Sequence, residues 1–379
     1  MNPPRWLRRA ALALGLVVVL DQLILYTALA DDDLLGWPIA PFDPPLFDGG
    51  QRGALERLRA GKVSPVFDPD LGWSPPPGKR GRVTYDDHRA RVAGDAAPAE
   101  PGARSLAVIG CSFTHGDEVS ARECWAGQLN EERSDLRVWN YGVGGYGLDQ
   151  VLLRLRRDVL PRRPDEVLLG WAPFSSLRAT THFPPLQNHW ARQVVFKPCA
   201  HLEDGALRLA PNPARTPADV LHLLEDQPAL LDAVGEADFW IGRAPAAYAP
   251  RGRSPLHFSA LGRLWLTFDE RRGRRSDRWL EDLDSVPSRL VTALIREMAA
   301  DCAEAGAEFG VVVLPAHVDL AGAPYWQPLT AALGVPVIDT YDDLRAAGAL
   351  QDEDMWMPGG HYSVEGHRVV VQVLASGLD

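Results

Sequence analysis

The sequence is short of the residue patterns that bind metals. Of its 379 residues only four are cysteines, and no two of these have the C-x-x-C spacing of a zinc site. Its ten histidines are scattered, and no H-E-x-x-H motif is present. We therefore expect neither a metal nor another cofactor. The disulfide state of the cysteines stays open, because pairing cannot be deduced from sequence. They are Cys111, Cys124, Cys199 and Cys302.

The chain also lacks a long basic segment. Asp and Glu outnumber Lys and Arg by 50 to 39, which gives a formal net charge of −11. The run Arg271-Arg272-Gly273-Arg274-Arg275 is short and is interpreted as a solvated loop. These features argue against nucleic acid as a partner. The composition, 46% hydrophobic and 23% charged, is typical of a globular protein and favours one large domain with an insertion.

One long apolar run is found, from Ala10 to Ala30. As a helix it would span roughly 31 Å, which matches one hydrocarbon core. Arg5, Arg8 and Arg9 precede it, so we expect the N-terminus inside the cell and the body outside. A central charged Asp21 would cost about 2.5–3.5 kcal/mol. The Leu, Ile and Val residues of the run supply about −4.4 kcal/mol, so insertion is still favoured.

A cleaved signal peptide is the alternative interpretation of this segment. Ala28-Leu29-Ala30 is an A-x-A cleavage sequence, and Ala10–Leu20 would form the apolar region before it. We favour a membrane anchor because the apolar character continues beyond Asp21. The first interpretation places the protein in the inner membrane as a single-pass protein with its body on the periplasmic or extracellular side. The second makes it secreted after cleavage at Ala30.

A second informative segment begins at the apolar run Leu106-Ala107-Val108-Ile109, which leads into Gly110-Cys111-Ser112-Phe113-Thr114-His115-Gly116. A β-branched run ending at glycine predicts a buried strand and a sharp turn. Ser112 would then stand at the carboxyl end of a parallel strand, where α/β folds place their chemistry. Far downstream, His361 offers the base that such a serine needs.

These segments resemble blocks of the SGNH/GDSL hydrolase superfamily. The Ser112 segment resembles the first block, Asn140-Tyr141-Gly142-Val143-Gly144-Gly145 the second, and His361 with Ser363, Gly366 and His367 the fifth. Phe67-Asp68-Pro69-Asp70-Leu71-Gly72-Trp73 is similar to a phrase of membrane-anchored members, so the resemblance runs from about Asp68 to the C-terminus. It implies a flavodoxin-like three-layer α/β sandwich with a parallel sheet. It also implies a nucleophile at Ser112, a base at His361, and oxyanion-hole N–H groups at Ser112 and Gly145.

The sequence departs from the family pattern in two functional places. The third block lacks its Asn within Val167–Ser176, and Ser175 or Ser176 is the candidate replacement as oxyanion donor. The acid position, three residues before the histidine, is Pro358. Asp354 is the nearest candidate acid, with Asp352 and Glu353 behind it. A dyad oriented by a backbone carbonyl remains the alternative.

The alternation of apolar segments predicts the domain organisation. We expect an anchor or signal peptide at 1–30, a stalk and irregular segment at 31–104 with short strands at 71–92 that pack on the main domain, and an SGNH-like α/β domain at 105–379. Its interruption at about 178–285 is interpreted as a lid or specificity element, or else as a packing or self-association element. Predicted strands lie at 106–109, 136–139, 166–171, 309–314 and 335–338, predicted helices at 123–132, 149–159, 287–305 and 364–374, and within the insertion a hairpin at 196–209 and helices at 217–231 and 256–268.

The sequence therefore predicts an exported serine esterase or O-acyltransferase that acts through an acyl-enzyme on Ser112. Acetyl is the expected acyl group, and the substrate is an acylated small molecule or polysaccharide. The membrane is the other expected partner, through the N-terminal helix. The alternative is a non-catalytic SGNH-like binding or assembly protein of the cell envelope, which the two departures from the pattern favour.

Overall fold

The computed structural model describes residues 4–27, 33–34, 37–39, 49–62, 66–92, 100–187, 194–235, 237–240, 255–273 and 277–377. The proposed cleavage sequence at 28–30 lies outside these residues, as do much of the expected stalk and part of the linker expected at 94–102.

The strands range in length from two to seven residues. In chain order they are β1 Asp33–Leu34, β2 Trp37–Pro38, β3 Phe67–Asp68, β4 Gly72–Trp73, β5 Gly78–Arg80, β6 Val83–Tyr85, β7 Arg91–Val92, β8 Arg104–Gly110, β9 Leu136–Asn140, β10 Glu166–Trp171, β11 Cys199–Glu203, β12 Ala206–Ala210, β13 Glu308–Val313 and β14 Val337–Asp339.

The helices range from single turns to the long N-terminal helix. In chain order they are α1 Arg5–Thr27, α2 Gly49–Arg59, α3 Ser112–His115, α4 Trp125–Glu132, α5 Leu148–Arg154, α6 Pro184–Gln187, α7 Pro217–Glu225, α8 Gln227–Val234, α9 Ala260–Gly273, α10 Asp277–Glu281, α11 Val286–Glu304, α12 Gln327–Ala332, α13 Tyr341–Ala346 and α14 Val364–Gly377. By length and composition, α1 is apolar enough to cross a membrane or to act as a signal sequence.

The central sheet has the strand order β14-β13-β10-β8-β9-β7-β6-β5. The first five of these strands are parallel to one another, as the predicted α/β fold requires. The interiors of the three middle strands, β8, β10 and β13, are apolar and buried, and this burial on both faces is typical of parallel strands covered by helices. On one side α4 packs with α14, while α5 packs with α11, so the sheet is the middle of three layers.

The remaining three strands of the sheet extend it beyond the prediction. β7 pairs antiparallel with β9, and β6 and β5 follow antiparallel. The sheet is therefore mixed rather than wholly parallel. These strands belong to the segment 31–104, in which we expected short strands at 71–92, and their length of two or three residues explains why periodicity did not reveal how they pair.

The insertion forms a second apolar cluster beside the sheet. It contains the predicted hairpin, β11 and β12, while the predicted helix at 217–231 is divided into α7 and α8 at Asp226. Phe183, Phe196 and Leu230 are fully buried in its core. A buried ion pair joins the insertion to the domain, since Lys197 Nζ donates to Asp149 Oδ2 at 2.5 Å. Such a pair is costly to break, by about 3–5 kcal/mol, because one charge would stay buried alone.

Two glycines allow α3 to pack closely against the end of β8. Thr114 of α3 donates from Oγ1 to the Gly170 carbonyl of the neighbouring β10. A Cβ added at Gly170 would stand 2.1 Å from this Oγ1, and one added at Gly110 would stand 2.3 Å from it. Both strands must therefore lack a side chain at these two positions for the helix carrying Ser112 to sit over the sheet edge.

Replacing Gly170 by alanine should lower the free energy of unfolding by roughly 1–3 kcal/mol, because the methyl group overpacks this junction. Removing the hydroxyl and methyl groups of Thr114 in the same chain (Gly170→Ala with Thr114→Ala) should restore part of the loss. Gly322→Ala is the matched control, since a Cβ there meets nothing within 4 Å. Chemical denaturation of the three variants measures this. Equal stability of Gly170→Ala and Gly322→Ala would refute the steric fit.

Candidate active site

A cavity of about 580 Å³ opens at the carboxyl edge of the sheet, and Ser112, Gly145 and His361 all line it. Its walls are completed by residues from the N-terminal segment, among them Trp73 and Tyr85. The three residues that the sequence singled out thus share one concave surface, although they come from three separate parts of the chain.

Ser112 is the first residue of α3 and follows β8 after a single residue. Its side chain is buried at the base of the cavity. The backbone N–H groups of Ser112 and Gly145 donate to no backbone carbonyl in the described part of the chain. Free N–H groups at a helix start and in a glycine turn are the donors from which an oxyanion hole is made.

The loop that carries Gly145 is held by the upstream motif. Trp73 donates from Nε1 to the Gly144 carbonyl at 3.1 Å, and the Tyr146 hydroxyl donates to the Trp73 carbonyl at 2.6 Å. Gly145 itself has φ 81°, a left-handed conformation that favours glycine. Trp73, the last residue of the segment that resembles membrane-anchored family members, therefore supports the candidate oxyanion loop directly.

Asn140 connects this loop to the nucleophile segment. Its Nδ2 donates to the Thr114 carbonyl at 2.8 Å, and its Oδ1 accepts from the Gly142 N–H at 2.9 Å. The side chain is buried and fully used in these bonds. Its contribution is therefore to fix the distance between the two halves of the site.

His361 is paired with a carboxylate that the sequence analysis did not select. His361 Nδ1 lies 2.7 Å from Glu118 Oε2, and the Gly359 N–H donates to Glu118 Oε1 at 2.9 Å. A Cβ at Gly359 would stand 2.4 Å from Oε2, so only glycine admits the carboxylate here. With the proton on Nδ1 donated to Glu118, Nε2 is left as the proton acceptor.

The acid predicted from the sequence, Asp354, does not contact His361. Asp354 is exposed in the turn Glu353–Met355, where its N–H donates to Asp352 Oδ1 at 2.9 Å. The structure brings neither it nor its neighbours Asp352 and Glu353 to His361. The carboxylate in contact with that ring is 243 positions away in sequence, six residues after Ser112. A Glu just beyond the nucleophile's own turn was the signal that could have identified it.

The predicted oxyanion serines also point away from the cavity. Ser175 Oγ donates to the Ala172 carbonyl at 2.7 Å, and Ser176 Oγ donates to the Pro173 carbonyl at 2.7 Å. Both side chains are buried, and neither lines the cavity. Their hydroxyl groups are used within the 3-10 segment Pro173–Thr180.

Arg178, from the same 3-10 segment, does line the cavity. Its guanidinium lies over the Phe174 ring, 5.1 Å from the centroid. Its Nη1 is buried and has no hydrogen-bond partner in the described part of the chain. Burial lowers the pKa of this guanidinium, although arginine stays charged at neutral pH. A guanidinium on a cavity wall whose Nη1 has no partner in the described residues can stabilise an anion that enters or develops there.

A second histidine–carboxylate pair lies on the same wall. His115 Nδ1 is 2.5 Å from Asp117 Oδ1, and the Tyr85 hydroxyl is 3.0 Å from His115 Nε2. Burial lowers the pKa of His115. Burial alone would raise the pKa of Asp117, but the hydrogen bond with His115 outweighs it and lowers that pKa. His115 is therefore neutral, donating to Asp117 and accepting from Tyr85, whose own pKa is raised by burial.

A side chain from the N-terminal segment holds the turn that carries Asp117 and Glu118. The buried Arg91 of β7 donates to the carbonyls of His115, Gly116 and Val119, the last two at 2.8 and 2.6 Å. Glu118 has φ 73°, an uncommon conformation for a residue with a side chain. The clamp therefore holds a strained turn in the conformation that delivers Glu118 to His361.

No family model and no curated protein matches the chain. Solved structures do match it. A G-D-S-L family lipolytic protein from Veillonella parvula is 12% identical with a TM-score of 0.36, over 72% of this chain and 97% of that one. An acetylxylan esterase from Geobacillus stearothermophilus is 9% identical with a TM-score of 0.38, over 74% and 95%. A two-domain esterase active on acetylated mannans is 13% identical with a TM-score of 0.36, over 73% and 49%.

Proposed function

We propose that the protein is an exported serine esterase or O-acyltransferase that acts on O-acyl esters, with acetyl as the expected acyl group. One observation carries this proposal. Ser112, Gly145 and His361 line a single cavity, and a carboxylate holds the Nδ1 side of the histidine. A nucleophile, a base and an oriented base partner are the groups that acyl transfer through a covalent intermediate requires.

In the proposed mechanism, Ser112 Oγ attacks the ester carbonyl while His361 Nε2 takes its proton. Glu118 stabilises the imidazolium that forms, as the carboxylate does in serine hydrolases. The tetrahedral intermediate then collapses, His361 returns the proton to the leaving alkoxide, and an alcohol departs. Ser112 is left esterified by the acyl group.

The developing oxyanion needs donors in place before the reaction. We assign the N–H groups of Ser112 and Gly145 to this role, with Arg178 in place of the absent Asn. The guanidinium carries a full positive charge, and its buried Nη1 has no competing partner in the described residues. Arg178 therefore compensates for the missing Asn of the third block, a departure from the family pattern that otherwise favours a non-catalytic protein.

The acyl-enzyme has two fates. Water activated by His361 releases the free acid, or a hydroxyl of a second substrate takes the acyl group. A cavity of about 580 Å³ is within the size range of small-molecule sites and can hold an acylated sugar unit. We propose a carbohydrate or other polyhydroxylated acyl carrier outside the cytoplasm, with α1 holding the enzyme at the membrane.

Ser112→Ala and His361→Ala should each lower hydrolysis of p-nitrophenyl acetate by at least about 10³-fold. The double variant should lose little more, because the two residues act as one unit. Rates of the purified proteins under single-turnover and steady-state conditions measure this. Equal rates for wild type and Ser112→Ala on acetyl esters, longer acyl esters and acetylated sugars would instead support the non-catalytic envelope protein.

Glu118→Gln should lower kcat by about 10²–10⁴-fold, because the amide cannot compensate the charge on the imidazolium. Asp354→Asn is the matched control and should leave kcat unchanged, since Asp354 is exposed and does not contact His361. Unfolding midpoints of both variants verify that each folds. A large loss of kcat in Asp354→Asn with none in Glu118→Gln would instead identify Asp354 as the catalytic acid, as the sequence predicts.

Arg178→Met keeps apolar contact with Phe174 and removes the charge. It should lower kcat by about 10²–10³-fold with little change in KM, as expected for a donor that acts in the transition state. Ser175→Ala should have no such effect, because its hydroxyl is bonded to the Ala172 carbonyl. A raised KM with unchanged kcat would show that Arg178 binds substrate and is not part of the oxyanion hole.

A further inference from the structure

An apolar face is exposed on the insertion, far along the chain from the N-terminal anchor. On α9, Leu261, Trp265 and Phe268 are 63%, 57% and 62% exposed. Their spacing of four and three residues places them on one side of the helix. Leu256 and Phe258, in the 3-10 turn just before α9, continue this face. We call these five residues the α9 face.

The start of α9 is attached to α1 by the acidic residue that interrupts the apolar run. Asp21 Oδ1 accepts hydrogen bonds from Ser259 Oγ at 3.1 Å and from the Leu261 N–H at 2.9 Å. Ser259 Oγ also accepts from the Gly262 N–H at 3.0 Å, as an N-cap residue does. The positive end of the α9 dipole thus faces the Asp21 carboxylate and stabilises it.

Two further contacts strengthen this junction. Gln22 Nε2 donates to the Phe258 carbonyl at 2.8 Å, and Leu25 packs against Ala260 and Leu264. Residues 5–20 of α1 are exposed along their whole length. A helix whose one internal charge is capped by a distant part of the chain is integrated with the body, which a signal peptide destined for removal need not be.

Aromatic residues indicate where α9 meets the membrane. Trp6 and Tyr26 are 67% and 71% exposed near the two ends of α1. They are separated by roughly 30 Å of helix, which equals the thickness of a hydrocarbon core. Trp and Tyr are enriched at both boundaries of that core. Asp21 then lies roughly 7–8 Å inside the outer boundary, and the start of α9 lies there with it.

We propose that α1 is retained and that the α9 face lies in the outer interface of the same bilayer, with lipid acyl chains covering its five side chains. The argument for lipid as the occupant is continuity, since the exposed apolar surface of α1 leads directly to this face at the Asp21 junction.

Site-specific photocrosslinking in the full-length chain tests this. p-Benzoylphenylalanine is placed singly at Leu261, Trp265 or Phe268 in protein embedded in bacterial membranes. Val17 within α1 is the positive control, and Val318, which is 73% exposed on the turn after β13, is the negative control. After irradiation, mass spectrometry identifies phospholipid adducts. The three α9 positions should give adducts at yields near that of Val17, and Val318 should give none.

Each other result overturns the proposal. Adducts at Val17 without adducts on α9 would leave an anchor but no membrane face, and crosslinks between two chains would make α9 a self-association surface. A mature N-terminus at Asp31 would show that α1 is removed.

A variant of the junction tests the proposal further. Asp21→Leu should keep the chain in the membrane while lowering adduct yield at Leu261 several-fold. None of these readouts depends on esterase activity, so the proposed chemistry stands or fails separately.

Discussion

The candidate site depends on one buried guanidinium. Arg91 gathers the carbonyls of His115, Gly116 and Val119, and in doing so fixes the turn that follows the nucleophile helix. That turn presents Asp117 to one histidine and Glu118 to the other. Arg91 lies on β7, so an antiparallel strand outside the core α/β pattern holds the polar constellation together. A buried charge surrounded by carbonyl dipoles is stable only when all of these partners stay in place.

The sequence predicted the parallel part of the fold closely, for a physical reason. Strands buried on both faces must be continuous apolar runs, and such runs bounded by glycine are visible without a structure. The predicted strand at 166–171 coincides with β10. The edge strands β5 to β7 carry no such pattern, because their side chains are mostly half-buried or exposed and pairing alone defines them.

Single charged residues were the least predictable part of the site. Block order located Ser112, Gly145 and His361, since glycine turns at strand ends leave a pattern in the sequence. Glu118 is marked in the sequence only by its place just beyond the nucleophile's turn, and Arg178 has no pattern of its own, because the positions of both side chains follow from tertiary packing. The free-energy cost that the sequence assigned to burying Asp21 in the membrane also left out tertiary packing. The donors that offset this cost come from Ser259 and Leu261, far away in sequence.

The position of Glu118 divides the proposed catalytic groups unequally between two parts of the chain. Nucleophile and acid share one short clamped segment, whereas His361 arrives alone on the loop between Met357 and Tyr362, closed by the Met357 N–H on the His361 carbonyl. An outward swing of this second loop would withdraw the base and leave the serine and its carboxylate undisturbed. Control of the enzyme would then need no rearrangement of the sheet edge, only the making and breaking of the two contacts that this loop makes with Glu118, one from His361 Nδ1 and one from the Gly359 N–H.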